Sequence, residues 1–556
     1  MDGMAAQHPG RDTDPAQRPK SPAIDPFLVA FLIVAAVLLF WGLGRRDLWQ
    51  DEAETAMLAK NILRFKLPIV FDGVNLVSTE VGRDFGPDLL WRWSPWLQFY
   101  LTAASFAIFG TTTLAARLPY AGLGLLCVAL TFFFVRRAFG SQRQARLSAV
   151  LLGLSVPFLL HCRQARWYAL AYLLVICLFY ALFELERRPR IAGVALALSA
   201  VLLFYTNYFV AIGLLTALCV ALPILRPDRP FWRRLIIALS AAAIGMAPGV
   251  VFFNVFGKAG PFLAVKSAGF LVSYVDLVLT QLLPLPMLIL LVWVLLRRGA
   301  AAPTLDSVRK RRAYFLLACI GLYTGYLALG PWELFRYLTP ILPLCAVLLA
   351  LALDGILGMS QLMGGALLVL LIGTDSLHVI PLGLSDSPGI GVKDRYGRIG
   401  PVSSPLAGFL HEMTHDFRDC SHVLAEYLKE NARPADVVLV SYGDSPLQFY
   451  TGLKVVGAFQ GQKLSDRPDW VAMHPYVIDS RPGRDLDVVR FIYKHVDLAR
   501  AYEPVKLPCR DFMLGSCTEP HEHLFREPAE GRELKVFRRK ADAGPSALRH
   551  RLPPGA

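Results

Sequence analysis

Acidic side chains are scarce in this chain. Its 556 residues hold 43 Asp and Glu against 57 Lys and Arg, charged residues make up only 18%, and the formal net charge is +14. On one soluble face, such an excess would read as a nucleic-acid footprint. Here the basic residues fall in short loops between apolar runs, which excludes that reading and fits the rule that keeps Lys and Arg on the cytoplasmic side of a membrane. Paired cysteines are also missing. Nine cysteines are scattered with no Cys-x-x-Cys among them, which argues against a thiolate zinc site. Cys127, Cys162, Cys177, Cys219, Cys319 and Cys345 lie in or beside apolar segments and read as small packing residues. No long internal repeat is apparent, which weighs against an inverted-repeat transporter.

Apolar sequence is plentiful. Hydrophobic residues make up 55% of the chain and the mean hydropathy is +0.45. Several runs reach the roughly 20 residues needed to cross a bilayer. Residues 1–24 are polar and Pro-rich, and are expected to form a disordered cytoplasmic N-terminus. The first apolar run, Phe27 to Leu43, lacks a small-residue cleavage site and reads as a retained span. Basic clusters at Arg136–Arg146, Arg187–Arg190, Arg226–Arg234 and Arg297–Arg312 recur after every second apolar run, and so are cytoplasmic. The alternation holds if the aromatic stretch Trp96–Phe109 is an interfacial helix. The spans are then 27–44, 116–135, 147–161, 168–186, 191–207, 209–225, 235–256, 271–296, 313–330, 337–353 and 361–380, eleven in all. The N-terminus lies inside and the C-terminus outside.

The expected fold class is therefore mostly α. A polytopic transmembrane helical bundle of about 11 spans occupies residues 25–383, with interfacial helices in its first outer loop, 45–115. Residues 384–556 form a small C-terminal soluble α/β domain outside the membrane. There Val437–Val440 reads as a buried strand preceded by a helix, Val423–Asn431, and Lys454–Val456 and Lys535–Phe537 read as short strands. If that compartment is oxidising, Cys509 and Cys517 are the pair available for a disulfide, leaving Cys420 unpaired.

Three of the scarce acids crowd into one turn, in Leu48-Trp49-Gln50-Asp51-Glu52-Ala53-Glu54-Thr55, just after the first span. Carboxylates at a bilayer are costly unless solvated, paired or used. One reading makes Asp51 a helix N-cap, with Glu54 closing a capping box. The other makes Asp51 a general base, with Glu52 beside it, for an acceptor hydroxyl. On the same outer side lie Arg163 and Arg166, three apart at a helix end and suited to a phosphate, or else snorkelling at the boundary. Arg336-Tyr337 follows Glu333, so Arg336 either binds phosphate or pairs with that acid. Lys258, Lys266, Asn207 and Tyr208 are further sugar or phosphate contacts, unless they serve lipid headgroups and interfacial anchoring. Together these side chains suit an amphiphilic substrate with a phosphate head and a hydroxyl-bearing acceptor.

The motifs Trp49-Gln50-Asp51-Glu52-Ala53, Ala59-Lys60-Asn61-Ile62-Leu63, Ala115-Ala116-Arg117-Leu118-Pro119, Arg163-Gln164-Ala165-Arg166-Trp167-Tyr168 and Arg336-Tyr337-Leu338-Thr339-Pro340 carry a family resemblance. Over about residues 25–375 the chain resembles the GT-C membrane glycosyltransferases, in the branch of protein O-mannosyltransferases and lipid A aminoarabinose (ArnT-like) transferases. The resemblance implies a catalytic Asp51 with Glu52 beside it, phosphate binding by Arg336 and Tyr337, and a donor sugar carried on a polyprenyl phosphate. Two features depart from the aminoarabinose branch. Trp93-Ser94-Pro95 stands where that branch has Glu-Lys-Pro, and Ala169–Leu174 lacks the acid it carries after Tyr168.

The reading is an integral, multi-pass inner-membrane transferase. It moves a hexose, such as mannose, or a pentose from the lipid donor to a lipid, glycan or protein hydroxyl on the outer face, with inversion. Membrane lipids are partners and nucleic acid is not. The sequence specifies no definite cofactor; a divalent cation, Mg or Mn, is an option, with Asp51 its ligand. The alternative reading is a transporter or flippase of polyprenyl-linked sugar, for which no base is needed. A purely structural membrane protein leaves the outer-face charges unexplained.

Overall fold

The computed structural model describes residues 25–258, 267–297, 306–330, 333–378, 403–416, 419–457, 460–465, 467–475, 484–511, 523–527 and 532–541. Lys266, Cys517, the N-terminal segment 1–24 and the expected domain boundary at 383/384 lie outside these residues.

A helix accompanies each expected span. The series runs α1 (Pro26–Phe40), α2 (Gln50–Phe65), α3 (Leu97–Phe109), α4 (Thr113–Phe139), α5 (Gln142–Gly153), α6 (Val156–Cys162), α7 (Tyr168–Glu184), α8 (Pro189–Thr206), α9 (Tyr208–Ala221) and α10 (Arg229–Phe252). It continues with α11 (Ser267–Leu277), α12 (Leu285–Leu296), α13 (Ser307–Ala328), α14 (Phe335–Leu338), α15 (Leu342–Leu357) and α16 (Gln361–Gly373). Among the described residues, five helices are long and apolar enough to cross a membrane, or seven if each bent pair is one span.

Two expected straight spans are bent. The 147–161 stretch breaks by 62° between α5 and α6, where Ser155 is extended and Pro157 sits in the first turn of α6. The 271–296 stretch breaks by 82°, through a π-turn at Val278–Leu282 and then Pro284. Proline accounts for both, since it cannot donate into the preceding turn and its ring clashes with the carbonyl there.

Helices α7 and α15 are almost wholly buried and form the centre of the bundle. Helices α8, α10 and α16 turn large apolar side chains outward, with Val194 69%, Val251 81% and Leu362 86% exposed. Such a belt is stable only against another apolar phase. Helix α3 packs on α2 and α4.

Beyond the bundle come α17 (Pro405–Thr414), α18 (Cys420–Asn431) and α19 (Asp444–Thr451), with strands β1 (Val437–Val440), β2 (Lys454–Gly457), β3 (Trp470–Met473) and β4 (Tyr502–Val505). Strands β5 (Arg510–Asp511), β6 (Arg532–Glu533) and β7 (Lys535–Arg539) complete the set. The main sheet has the order β2-β1-β3-β7-β4, with β1 parallel to β2 and β3 and with β7 antiparallel to β3 and β4. Alternate residues feed its two faces. Val438, Val440, Val455 and Ala472 pack under α18 and α19, whereas Leu439, Val456, Val471 and Met473 pack against Val488 and Ile492. Cys420 and Cys509 share the first of these clusters. Both are free thiols, and Cys517, the expected partner of Cys509, lies outside the described residues.

Candidate functional site

Helix α2 is the frame of the site. Its N-cap is Trp49, in extended conformation, so Asp51 is the second helical residue and not the cap. The reciprocal half of a capping box belongs to Glu52, which accepts from the Trp49 N–H at 3.4 Å, rather than to Glu54. Helix α2 ends at Lys66, left-handed at φ 66°, whose N–H donates to the Ile62 carbonyl. Small residues Ala53, Ala56 and Ala59 are fully buried, so the helix seats closely on the bundle.

The three acids of the turn diverge. Asp51 points to two arginines from separate elements. Its Oδ2 accepts from Arg336 Nη1 at 2.7 Å and lies 3.5 Å from Arg166 Nη2. Its Oδ1 takes no hydrogen bond among the described residues. The side chain retains 20% exposure. Arg336 stands at the entry of the α14–α15 span, and Arg166 in the turn between α6 and α7.

Glu54, one turn on, holds the other edge of Arg166 at 2.9 Å. It also accepts from Thr79 Oγ1 at 3.0 Å. Thr79 is fixed in turn by Asp84, whose carboxylate accepts the Thr79 and Glu80 backbone N–H groups and the Ser78 hydroxyl. Burial pushes the Glu54 carboxyl up to about 7, against the opposing pull of Arg166 and with Asp51 adding to the rise. The Arg166 guanidinium is held above its ordinary range by Asp51 and Glu54, which outweigh its burial. Its Nη1 also donates to the Asp51 carbonyl and Thr55 Oγ1, while its buried Nε has no partner.

Glu52 is enclosed elsewhere. It is fully buried and meets the Arg117 guanidinium fork at 2.8 and 2.6 Å, while the Ala165 N–H donates to it at 2.7 Å. Arg117 also donates to the carbonyls of Leu43, Arg46 and Asp47. The pair therefore ties α2 to the end of the first span, to α4 and to the 163–167 turn. Arg163 is likewise occupied. Its Nη1 donates to the carbonyls of Leu38, Leu39 and Trp41 at the end of α1, and its guanidinium lies over the Phe409 ring. The geometry thus brings Asp51, Arg166 and Arg336 together and sends Glu52 and Arg163 into separate contacts. Glu333 meets Ser273, which leaves Arg336 to Asp51.

Next to Arg336, Tyr337 turns the other way. Its ring stacks on Trp167 and meets Phe209 edge-on. It lines a cavity of about 360 Å³ together with Trp93, Asn207, Tyr208, Lys258 and Tyr326. Lys258 Nζ donates to the carbonyls of Arg92 and Trp93 and lies over the Trp93 and Tyr208 rings. Burial lowers the Lys258 ammonium to about 8. Asn207 caps α9 by accepting the Val210 N–H, and the Tyr208 hydroxyl donates to Trp93 O at 3.2 Å. One wall therefore carries Asn207, Tyr208, Lys258 and Tyr337. Apart from Ser94 the rest is aliphatic and aromatic, a surface suited to an isoprenoid chain.

Among the described residues no group of three His, Cys, Asp or Glu gathers as a metal set. The two carboxylates nearest the chemistry both face guanidiniums. A divalent cation at Asp51 would have to sit beside two fixed positive charges, so this donor set does not suit one.

Residues 94–253 match the family model of dolichyl-phosphate-mannose-protein mannosyltransferases. The fold is similar to that of ArnT from Cupriavidus metallidurans, solved bound to undecaprenyl phosphate. The TM-score is 0.55 at 14% identity, covering 94% of this chain and 99% of that one. The apo state of the same protein aligns with TM-score 0.53 at 15% identity, over 92% and 97% of the two chains. An uncharacterized protein of Aquifex aeolicus (strain VF5) is 29% identical over 138 residues, a stretch that spans 24% of this chain and 24% of that relative. The chain is therefore similar to the dolichyl-phosphate-mannose-protein mannosyltransferases over that segment, and it shares its fold with ArnT.

Proposed function

We propose that the protein transfers a sugar from a polyprenyl phosphate to an acceptor hydroxyl on the outer face of the inner membrane, with inversion at the anomeric carbon. Eleven crossings with the N-terminus inside place Asp51 and the sheet-bearing region extracytoplasmically, the topology that the basic loops favour. The donor lipid lies along the cavity behind Tyr337, with Lys258, Asn207 and Tyr208 at its head. The undecaprenyl phosphate bound to the similarly folded ArnT supports a polyprenyl donor.

In the transfer step the acceptor oxygen attacks the anomeric carbon as its proton passes to Asp51. The bond from that carbon to the phosphate oxygen breaks on the opposite face, and the electron pair leaves with the polyprenyl phosphate. Arg336 and Arg166 neutralise the charge that develops on the leaving phosphate, the electrostatic contribution that usually dominates. No step passes through a metal. Glu52 and Arg163 act structurally here. The reading rests on one observation, the convergence of Arg166 and Arg336 on a single partly exposed carboxylate.

Asp51→Asn tests it in purified protein in lipid, with labelled polyprenyl-phosphate sugar and envelope extract. The amide keeps the shape and cannot take a proton, so transfer is expected to fall at least about a hundredfold while the donor still binds. Undiminished transfer in the variant ends the general-base role. Translocation of the lipid-linked sugar that survives the substitution, with no transfer in wild type, identifies a flippase instead.

A further inference from the structure

The residues just before Asp51 are held from outside the bundle. Trp49 offers an indole donor and no acceptor, so no side chain caps the start of α2. Beside the Glu52–Arg117 pair and the arginines on Asp51, a further set of contacts on this end comes from α19, in the sheet-bearing region. Gln50, the residue before Asp51, is buried, and its amide donates to Asp444 Oδ1 at 2.7 Å and to Ser445 Oγ at 3.1 Å. Its carbonyl oxygen accepts the Ser445 N–H at 3.4 Å. The second oxygen of Asp444 accepts from Gln460 at 2.7 Å. At the other end of α19, the Tyr450 hydroxyl accepts the Leu48 N–H at 2.8 Å and bonds Thr113 Oγ1, at the start of α4, at 2.7 Å.

Asp444 is 1% exposed. Burial raises its carboxyl above the ordinary range, opposed by the Gln50 and Gln460 amides. A buried carboxylate satisfied by side-chain amides has little tolerance for displacement, because each lost donor leaves an oxygen both dry and unpaired. Its location in the first turn of α19 adds the favourable end of a helix dipole. Gln50 is therefore held at both polar atoms by groups that cannot relax into water.

We propose that Asp444 and Tyr450 are positioning residues of the transfer reaction, acting through Gln50 and Leu48 to hold Asp51 against Arg166 and Arg336. This rests on the glycosyl-transfer reading of that site. The sheet-bearing region thereby becomes part of the catalytic apparatus rather than an appendage to it. A displacement of about 1 Å at a reacting group costs about a hundredfold in rate, so small shifts of α2 register as lost turnover.

The experiment uses the full-length protein in lipid. In Asp444→Ala and Gln50→Ala, kcat is expected to fall at least about tenfold, with KM for the polyprenyl-phosphate sugar within about twofold of wild type. Tyr450→Phe, which removes one hydroxyl, falls in the same direction by less. Asp444→Asn keeps an acceptor for the Gln50 amide and recovers most of the rate. Hydrogen exchange at the backbone of Ala53–Met57 is expected to speed up in the alanine variants. Unchanged kcat and exchange overturn the proposal. So does a loss of rate that matches the fall in folded fraction, or an Asp444→Asn variant as slow as Asp444→Ala. Accelerated exchange in a protein that transfers no sugar in any form supports the anchoring of α2 and removes the glycosyl-transfer reading instead.

Discussion

Asp51 and Glu54 sit one helical turn apart and share one arginine, yet their surroundings differ. Asp51 keeps an oxygen open, whereas Glu54 is enclosed, and burial pushes its carboxyl up to about 7. A carboxyl raised in the folded state favours folding fully below its ordinary value of 4.5, and that contribution is lost as pH rises toward 7. Wild-type melting temperature is therefore expected to fall across that window relative to Glu54→Gln, which cannot titrate; parallel melting curves from pH 4.5 to 7 in detergent would refute the burial argument. At Arg336, replacement by Lys keeps the charge but loses the planar fork. Turnover is expected to drop about tenfold in Arg336→Lys and at least about a hundredfold in Arg336→Ala, measured with saturating acceptor. The roles of the acids were only half legible. That Asp51 and Arg336 deserve notice is legible in the sequence, because charged side chains at a span boundary seldom lack a purpose; that they pair with one another is not. The capping-box acid is Glu52, two residues before the Glu54 that the spacing from Asp51 suggests. Sequence spacing alone puts all three acids in one turn, and only the true N-cap, Trp49, tells which of them faces back.

At the scale of single elements, the buried Glu52–Arg117 pair joins α2 to α4. Leaving one partner of such a pair unmatched costs about 3–5 kcal/mol. Arg117→Met is accordingly expected to lower the melting temperature sharply, and Glu52→Gln, which still accepts hydrogen bonds, by less. Equal melting for Arg117→Met and wild type would show that the pair is not structural. Arg117 was visible in Ala116-Arg117-Leu118-Pro119 but had no role there, because an arginine at a span boundary reads first as snorkelling. The helices themselves were legible from apolar length alone. The two bends were not, although Pro157 and Pro284 marked both places. Length counts residues through a kink as readily as along a straight axis, and the π-turn before Pro284 has no compositional signature.

At the scale of the whole molecule, the alternation of basic loops predicts one sidedness for everything discussed. Lys454→Cys and Lys494→Cys, at exposed positions on the sheet-bearing region, are expected to react with an impermeant maleimide from outside the cell. Labelling confined to inverted vesicles would reverse the topology and move Asp51 to the cytoplasm. Chelation with EDTA is expected to leave transfer unchanged. A loss restored by Mg or Mn would instead put a cation on Asp51. The anchoring of α2 by α19 also imposes an order in time. Gln50 and Asp444 are 394 positions apart. At translation rates of roughly 5–20 residues per second, the acid helix emerges on the order of 20–80 s before its anchor. Throughout that interval the growing chain already carries Asp51, Arg166 and, later, Arg336 in the membrane, beside the donor pool, but with the helix loose. If the anchoring proposal holds, an incomplete polypeptide turns over its substrate at least about tenfold more slowly, and full competence arrives only when α19 folds back onto α2.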